Sequence, residues 1–392
     1  MLSGSLRDRY AREHAPFAES FASFVRRELV PLESETCDSM RDEPPASVAA
    51  MVRRRSAELG FYACDYPAEY GGQSAPLAAK ALLYERAEAS GCRLAPVALC
   101  QAEGPSELLL HGTAEQKERY LRPLIAGETT RCLAMTEPEG GSNMLRPATR
   151  ARRRGAGGWS LSGRKTFVSN AADARIALVL ASVAVADGEE RTGVFIVRTD
   201  TPGFVVGHRY EGMADGAVYD VILDDVQLDE GALLGGSDGW AEAGFLTSRM
   251  LAKGRLMVAA TANGIAQQAL AAGLEFAKTR QTFGGTIGAH QHVQQHLVRG
   301  QAMLEAARLL THSATQAFDE GADVVAEAAQ AKWIATENAV RTVNDVFQVH
   351  GGTAWVRGHP LEYLYRRVRA YTIVEGTTEI QKVIVANSLG LG

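Results

Sequence analysis

The sequence predicts an α+β protein built in three segments: a helical N-terminal domain over residues 1–130, a central antiparallel β domain over 131–236 and a C-terminal helical bundle over 237–392. Three observations predict it. A chain of 392 residues exceeds what one compact domain usually holds and divides into two or three units. Between Arg131 and Leu228, short β-branched runs alternate with turn residues and no helical run intervenes, which indicates an antiparallel sheet or a small barrel and disfavours a Rossmann-type alternation. Beyond Trp240 the period is helical: Ala335, Ala339, Val343 and Val346 form one apolar stripe of a long helix beginning near Asp323, and such Ala-rich helices pack closely as bundles.

Each element has its own signal. Thr113-Ala114-Glu115-Gln116 is a capping box that opens a helix over Ala114 to Ile125, and Gly127 ends it. Trp159 to Ser162, Ala174 to Ala186, Gly193 to Val197 and Ala217 to Leu223 read as strands. Gln348-Val349-His350-Gly351-Gly352 ends the long helix at a double glycine, a normal C-cap whose freed amides can also meet a pyrophosphate. Thr378-Glu379-Ile380-Gln381 reads as a second capping box, starting a last helix that runs to about Ser388.

The composition narrows the function. A net charge of −5 without a clustered basic footprint gives no reason to bind nucleic acid or an anionic membrane. The longest apolar run, Ile176 to Ala186, is far shorter than the ~20 residues of a bilayer-spanning helix, and the N-terminus lacks a signal core, so a cytoplasmic protein is expected. Five cysteines with no C-x-x-C pair read as reduced thiols, and the excess of arginine over lysine suggests a bacterial genome. Several patterns are weak. Gly158 to Thr166 approaches a phosphate loop but has Arg164 at the lysine position. Gly235-Gly236-Ser237-Asp238-Gly239 fits a hydrolase elbow, with Ser237 as nucleophile, yet sits in a Gly-rich loop. His292 and His296 stand one helical turn apart without an acidic partner in the run, so no metal is expected.

Two stretches carry more. Thr136-Glu137-Pro138-Glu139-Gly140-Gly141-Ser142-Asn143, at the entry to the β region, is rich in exposed amides and hydroxyls and can wrap a polar planar ligand, or be a plain surface turn. Glu375 follows Ile373 and Val374 and precedes Gly376, just before a helix start. The apolar neighbours disfavour its charge while the helix dipole favours it. A carboxylate in an apolar site suits abstraction of a weakly acidic carbon-bound proton.

In order, these stretches resemble the acyl-CoA dehydrogenase family, flavoproteins that place a double bond between the α and β carbons of a thioester. The resemblance covers nearly the whole chain. It rests on Gly60-Phe61 with Pro67-Ala68-Glu69-Tyr70-Gly71-Gly72, on His111-Gly112-Thr113 through Gly127-Glu128, and on Thr136-Glu137-Pro138 with Gly141-Ser142. Further on it rests on Gly163-Arg164-Lys165-Thr166-Phe167-Val168-Ser169-Asn170, Gly264-Ile265-Ala266-Gln267, Arg280-Gln281-Thr282-Phe283-Gly284, His290-Gln291, Gln348 to Gly352 and Glu375-Gly376-Thr377.

The resemblance implies a helical N-terminal domain, a central β domain and a C-terminal four-helix bundle, with FAD as cofactor. Leu133, Met135, Thr136, Gly141, Ser142, Phe167, Val168 and Ser169 would wall the isoalloxazine. Arg280, Thr282, Phe283, Gln291, Gln348, Gly351 and Gly352 would meet the adenine and pyrophosphate end, some from a neighbouring subunit, which implies a homotetramer arranged as a dimer of dimers. Thr377 and Glu379 would also contact the cofactor. Glu375 would be the base that removes the α-proton while the β-hydrogen leaves as hydride to flavin N5, with Ser142, Arg255, Glu103 and Gly376 toward the substrate. An electron-transfer flavoprotein or another acceptor would take the electrons.

Departures from the family pattern bear on the substrate. Asn143 replaces the usual Asp, Leu251-Ala252-Lys253-Gly254-Arg255 keeps the Arg and loses an Asp, Arg366-Arg367-Val368 replaces Arg-Asp-Ala, and Gln101-Ala102-Glu103-Gly104 is more polar than a fatty-acyl tunnel. They point to a short or functionalised acyl group, on CoA or on an acyl carrier protein of a biosynthetic pathway, handled by a dehydrogenase or an oxidase.

Overall fold

The computed structural model describes residues 12–37, 43–143, 146–155, 157–184, 190–214, 216–236 and 243–391. Helices α1 (Ala15–Phe24) and α2 (Val30–Thr36) are joined by a single π turn, and α3 (Ala46–Glu58), α4 (Leu77–Ala89) and α5 (Leu94–Val97) follow. Next come α6 (Ala114–Gln116) and α7 (Arg122–Ile125), again continuous through a π turn. Seven strands succeed them: β1 (Arg131–Ala134), β2 (Arg150–Arg153), β3 (Trp159–Ser169), β4 (Ile176–Ala184), β5 (Glu190–Arg198), β6 (Phe204–Glu211) and β7 (Ala217–Leu228). Helix α8 (Ala243–Thr279) leads through the hairpin β8 (Gln281–Thr282) and β9 (Gly285–Thr286) to α9 (Gln291–Asp319), α10 (Val325–His350), α11 (Pro360–Val368) and α12 (Thr378–Ser388). The chain forms two compact units: residues 50–74 with 100–250, and residues 1–49, 75–99 and 251–392.

The first of these is the β unit. β4 is its spine, paired antiparallel with β5 on one edge, while β1 and then β2 lie along the other edge, both parallel to β4. The remaining pairings, β2 with β3, β3 with β7 and β7 with β6, are antiparallel. The sheet is open, so of the two forms the sequence allowed, the barrel falls. The two parallel contacts have a simple cause. Arg131 to Ala134 face Ile176 to Val179, and Arg150 and Ala151 face Ser182 and Val183, so β1 and β2 are successive pieces of one strand line and the loop between them is an excursion from it.

β4 explains the longest apolar run in the sequence. Ala177, Val179, Ala181 and Val183 enter a core with Trp159, Leu161 and Phe195, while Ile176, Leu178 and Leu180 enter another with Tyr62, Leu108, Leu109, Leu121 and Leu124. A strand buried on both faces loses the polar alternation of a half-exposed one. The capping box at Thr113 forms as expected, with Gln116 N–H donating to Thr113 Oγ1 (3.2 Å) and Thr113 N–H to Gln116 Oε1 (2.9 Å). Gln116 does more than cap: its Nε2 donates to the carbonyls of Gly231 and Leu233, both at 2.8 Å.

The second unit is helical. The stripe Ala335, Ala339, Val343 and Val346 is buried, as its period requires. Close packing depends on missing side chains: a Cβ on Gly273 would stand 2.9 Å from Leu297 and 3.0 Å from Val346, and one on Gly300 would stand 2.9 Å from Leu270. Helix α4 has no side-chain cap of its own, and Asp319 at the end of α9 accepts from the N–H groups of Leu77 (2.7 Å) and Ala78 (3.0 Å) instead. Arg367, the middle residue of the unusual Arg366-Arg367-Val368, forms a two-pronged buried ion pair with Glu88. All five cysteines are free, and among the described residues no helix is long and apolar enough to cross a membrane.

Removing the carboxylate of a buried pair leaves the guanidinium without its counter-charge. Glu88→Gln should therefore destabilise the protein by about 3–5 kcal/mol, measured by denaturant unfolding; an unchanged midpoint would show that Arg367 finds another partner.

Candidate active site

In the β unit, the predicted ligand loop is the excursion between β1 and β2, and it is anchored from within. The Glu137 carboxylate accepts from Lys165 Nζ (2.8 Å), Thr149 Oγ1 (2.6 Å), Thr149 N–H (2.8 Å) and Ala148 N–H (2.6 Å). Lys165 is fully buried and also donates to the Met135 carbonyl (3.1 Å). Burial works against the Glu137 charge, but these donors outweigh it and hold its carboxyl down at about 2. Thr166 N–H donates to the Thr136 carbonyl (2.9 Å), tying the loop to β3. Gly158 to Thr166, the phosphate-loop lookalike, is mostly strand.

Among the predicted wall residues, Gly141, Ser142, Phe167 and Ser169 are exposed and Leu133 and Thr136 half-buried, whereas Met135 and Val168 point into the two cores. Those two could meet a ligand only through their backbone. An irregularity in the β3–β7 register between Lys165 and Val168 turns Phe167 outward, 60% exposed, with a left-handed φ of 54°. Glu103 is half-buried, and burial raises its carboxyl above the ordinary glutamate value against the pull of Arg53 and Arg131.

In the helical unit, Glu375 lies between α11 and α12 with φ 56°, a conformation that costs a non-glycine residue roughly 1–2 kcal/mol. Gly376 follows at φ 88°. Three side chains hold this step. Gln381 Nε2 donates to the carbonyls of Glu375 (3.1 Å) and Gly376 (2.7 Å), Lys332 Nζ to that of Gly376 (2.7 Å), and Arg255 Nε to that of Glu375 (3.3 Å). A Cβ on Gly254 would stand 2.9 Å from Glu375 Oε2, so the carboxylate fills the space a side chain there would take.

Two expectations need correction. Ile373 and Val374 are 53% and 43% exposed and do not desolvate Glu375; the backbone of Gly254 and the buried cations Arg255 and Lys332 surround it instead. The cap of α12 is Thr377, not Thr378, with Thr377 Oγ1 accepting from Ile380 N–H (3.4 Å). That one-residue shift frees Gln381 to reach back to the carbonyls. Arg255 is buried and turned toward Glu375, and Glu379 is exposed.

The remaining predicted residues form a separate group in the same unit. Arg280, Phe283 and Gln291 are exposed around the β8–β9 hairpin, with Thr282 half-buried, and Ile287 N–H donates to the Arg280 carbonyl (2.9 Å). Gln348, Gly351 and Gly352 are exposed at the end of α10, and stacking of Phe276 on His350 (4.2 Å) joins that end to α8. His296 meets Asp345 (3.3 Å) rather than His292, and among the described residues no group of three metal-ligating side chains occurs. Ser237 lies outside the described residues.

Three family domains match the chain in order: acyl-CoA dehydrogenase N-terminal domain over residues 11–128, middle domain over 132–226 and C-terminal domain over 242–390. The chain belongs to the acyl-CoA dehydrogenase family. Similar proteins include a 3-(aryl)acrylate reductase of Clostridium sporogenes, 35% identical over 97% of this chain and 99% of that protein. The mitochondrial short-chain specific acyl-CoA dehydrogenase of Homo sapiens is 31% identical over 96% and 90%. A caffeyl-CoA reductase-Etf complex subunit, CarC, of Acetobacterium woodii is 31% identical over 86% and 88%. Among solved structures, an acyl-CoA dehydrogenase complexed with FAD from Bacillus anthracis superposes with a TM-score of 0.84 at 26% identity, over 96% of this chain and 66% of that one.

This acyl-CoA dehydrogenase family member is thus an FAD-dependent oxidoreductase acting on CH–CH bonds of acyl-CoA. Within each unit the residues fit the cofactor: a Cβ on Gly141 in the β unit, or on Gly284, Gly351 or Gly352 in the helical unit, would meet nothing within 4 Å, and Phe167 and Phe283 are 60% and 96% exposed. The residues that sequence reasoning missed are Lys165, Lys332, Gln381 and Gly254. Lys332 carried a signal, because it precedes Ala335 by three positions on the apolar stripe, where a lysine is out of place.

The Glu137 anchor has a pH signature. Its folded carboxyl lies below the ordinary 4.5, so its stabilisation is complete above 4.5 and is lost as pH falls toward 2. Glu137→Gln should lower the melting temperature at pH 7 and flatten its fall across that window; parallel wild-type and variant curves would refute the anchor.

Proposed function

We propose that the protein interconverts a short or functionalised acyl thioester and its α,β-unsaturated counterpart, with Glu375 as the base that takes the α-proton. The observation that carries this reading is the Glu375 site itself: a carboxylate packed against Gly254, beside buried Arg255 and Lys332, on a backbone held left-handed by three side chains. A carboxylate needs such fixing to meet a carbon-bound proton in line, since the gain comes from orientation as much as from basicity. Bound FAD supplies the acceptor for the β-hydrogen and its electron pair.

The protein's own contribution continues through the backbone. Peptide planarity means that fixing the Glu375 carbonyl also fixes the Gly376 N–H, which points the opposite way. Amides so fixed can hold a thioester carbonyl and stabilise charge that develops on its oxygen. In the reverse direction Glu375 returns the proton as an acid, so one arrangement serves both directions.

Support for a polar acyl group comes from Gln101 and Glu103 and from two relatives named for aryl-acrylate and caffeyl-CoA reduction. An electron-transfer flavoprotein is the proposed redox partner, supported by the relative named as part of an Etf complex. We propose a cytoplasmic homotetramer, CoA as the carrier, and an acyl carrier protein as the alternative that matched thioester pairs would reveal.

The purified yellow protein should lose its flavin band on anaerobic addition of an arylpropionyl-CoA or a short acyl-CoA. Glu375→Gln should bind FAD normally yet lose turnover by about 10³-fold or more; retained turnover would remove Glu375 as the base. Greater activity on long, unsubstituted acyl-CoAs would overturn the substrate class.

A further inference from the structure

Lys332 enters the reading above only as one of three donors to the backbone, yet its placement is costly. It sits about two turns into α10, fully buried, on the face that elsewhere carries Ala335, Ala339 and Val343. An uncharged side chain of similar length would pack there without the expense of removing an ammonium from water. What the charge meets is specific. Its Nζ donates to the Gly376 carbonyl at 2.7 Å, and the ionisable groups that act on it are Glu375 and Glu379, which favour its charge, and Arg255, which opposes it. Burial brings it down to about 8, so the same three neighbours face a cation at neutral pH.

Resting on the reading of Glu375 as the base, we propose that Lys332 is a positioning residue for it: Lys332 holds the Glu375–Gly376 step through the Gly376 carbonyl, and its buried charge favours the carboxylate over the carboxylic acid. Three donors from three helices converge on the two carbonyls, Arg255 from α8, Lys332 from α10 and Gln381 from α12. Gln381 is neutral and Arg255 reaches only the Glu375 carbonyl. Lys332 alone among the three brings a positive charge to the Gly376 carbonyl, which is the hinge into α12. Without it, the backbone step keeps one donor on that carbonyl, and Glu375 loses a cation that opposes protonation.

The sign follows. A nearby cation lowers a carboxyl's proton affinity, so removing it raises that affinity and moves the acid limb of the rate profile to higher pH. The test uses FAD-loaded full-length protein and an acyl-CoA that bleaches the wild type, with Glu375→Gln as control. Lys332→Met should keep its flavin, lose about tenfold or more in kcat with KM changed far less, and move the acid limb of kcat/KM up by about one pH unit. Lys332→Arg restores the charge and should return the acid limb to its wild-type position, even where kcat recovers only in part.

If Lys332→Met does not accumulate as folded protein, Lys332→Gln, a neutral donor, carries the same prediction for the acid limb. An acid limb that stays in place in a folded neutral variant overturns the proposal, as does failure of both neutral variants to fold, since Lys332 would then serve stability alone. The outcomes separate from those of the base assignment: a Glu375→Gln enzyme with wild-type turnover sinks that assignment, whereas an inactive Glu375→Gln beside an unchanged Lys332→Met sinks only this one.

Discussion

Two backbone carbonyls, those of Glu375 and Gly376, draw together side chains from three helices of the helical unit. A glutamate held at positive φ relaxes unless its surroundings over-determine it, and here the surroundings are side chains from α8, α10 and α12. Each can reach only if its helix is set at the right height. The small residues of these helices provide that setting, because Gly273 and Gly300 let α8, α9 and α10 approach to where added methyl groups would collide. Close packing of the bundle and orientation of one carboxylate are therefore the same constraint seen at two distances.

The β unit solves a similar problem with similar parts. Its candidate ligand loop is an excursion from a strand line, and a buried lysine, Lys165, pins it through Glu137 and the Met135 carbonyl. A buried ion pair is weak evidence of added stability, since desolvation consumes most of the attraction. Burial does push Lys165 toward its neutral form. The pair makes sense as a geometric device: it holds the excursion to β3, beside the outward-turned Phe167. In both units a buried lysine is joined to a main-chain carbonyl, and in both the carbonyl belongs to a segment that the sequence singles out as a candidate site.

The legibility of these features in the sequence follows their range. Periodicity disclosed α10 because the stripe of Ala335 to Val346 is a local pattern that burial enforces, and the continuous apolar run of β4 disclosed a strand for the same reason. The capping box at Thr113 was legible because both partners lie within one turn. At α12 the same rule placed the start one residue late. Thr377 and Thr378 are equally good hydroxyls, and the choice falls to Gln381, whose amide is drawn to carbonyls behind the helix rather than to its own cap. The surroundings of Glu375 were illegible because they come from Arg255, 120 residues before it, and from Lys332, 44 residues before Gly376, and neighbours in sequence, Ile373 and Val374, face outward. The parallel contacts of β4 escaped likewise, since nothing local to β1 or β2 names the strand they will join.

Gly254 and Glu375 are best understood as one choice. The Cβ that position 254 lacks would stand 2.9 Å from Glu375 Oε2 and 3.0 Å from its Cδ, so one volume is available and the carboxyl takes it. Any side chain at 254 must either push the carboxyl away or be pushed itself, and the second path is closed because residue 254 lies inside the rigid α8. The backbone that carries the carboxyl is fixed, because both carbonyls of its step are tied. The glycine leaves that volume open to the carboxyl, and it sits beside Arg255, whose guanidinium secures the same glutamate from the next position along the helix. A carboxylate given its volume by a missing side chain, on a backbone given its course by tied carbonyls, starts each encounter from one place.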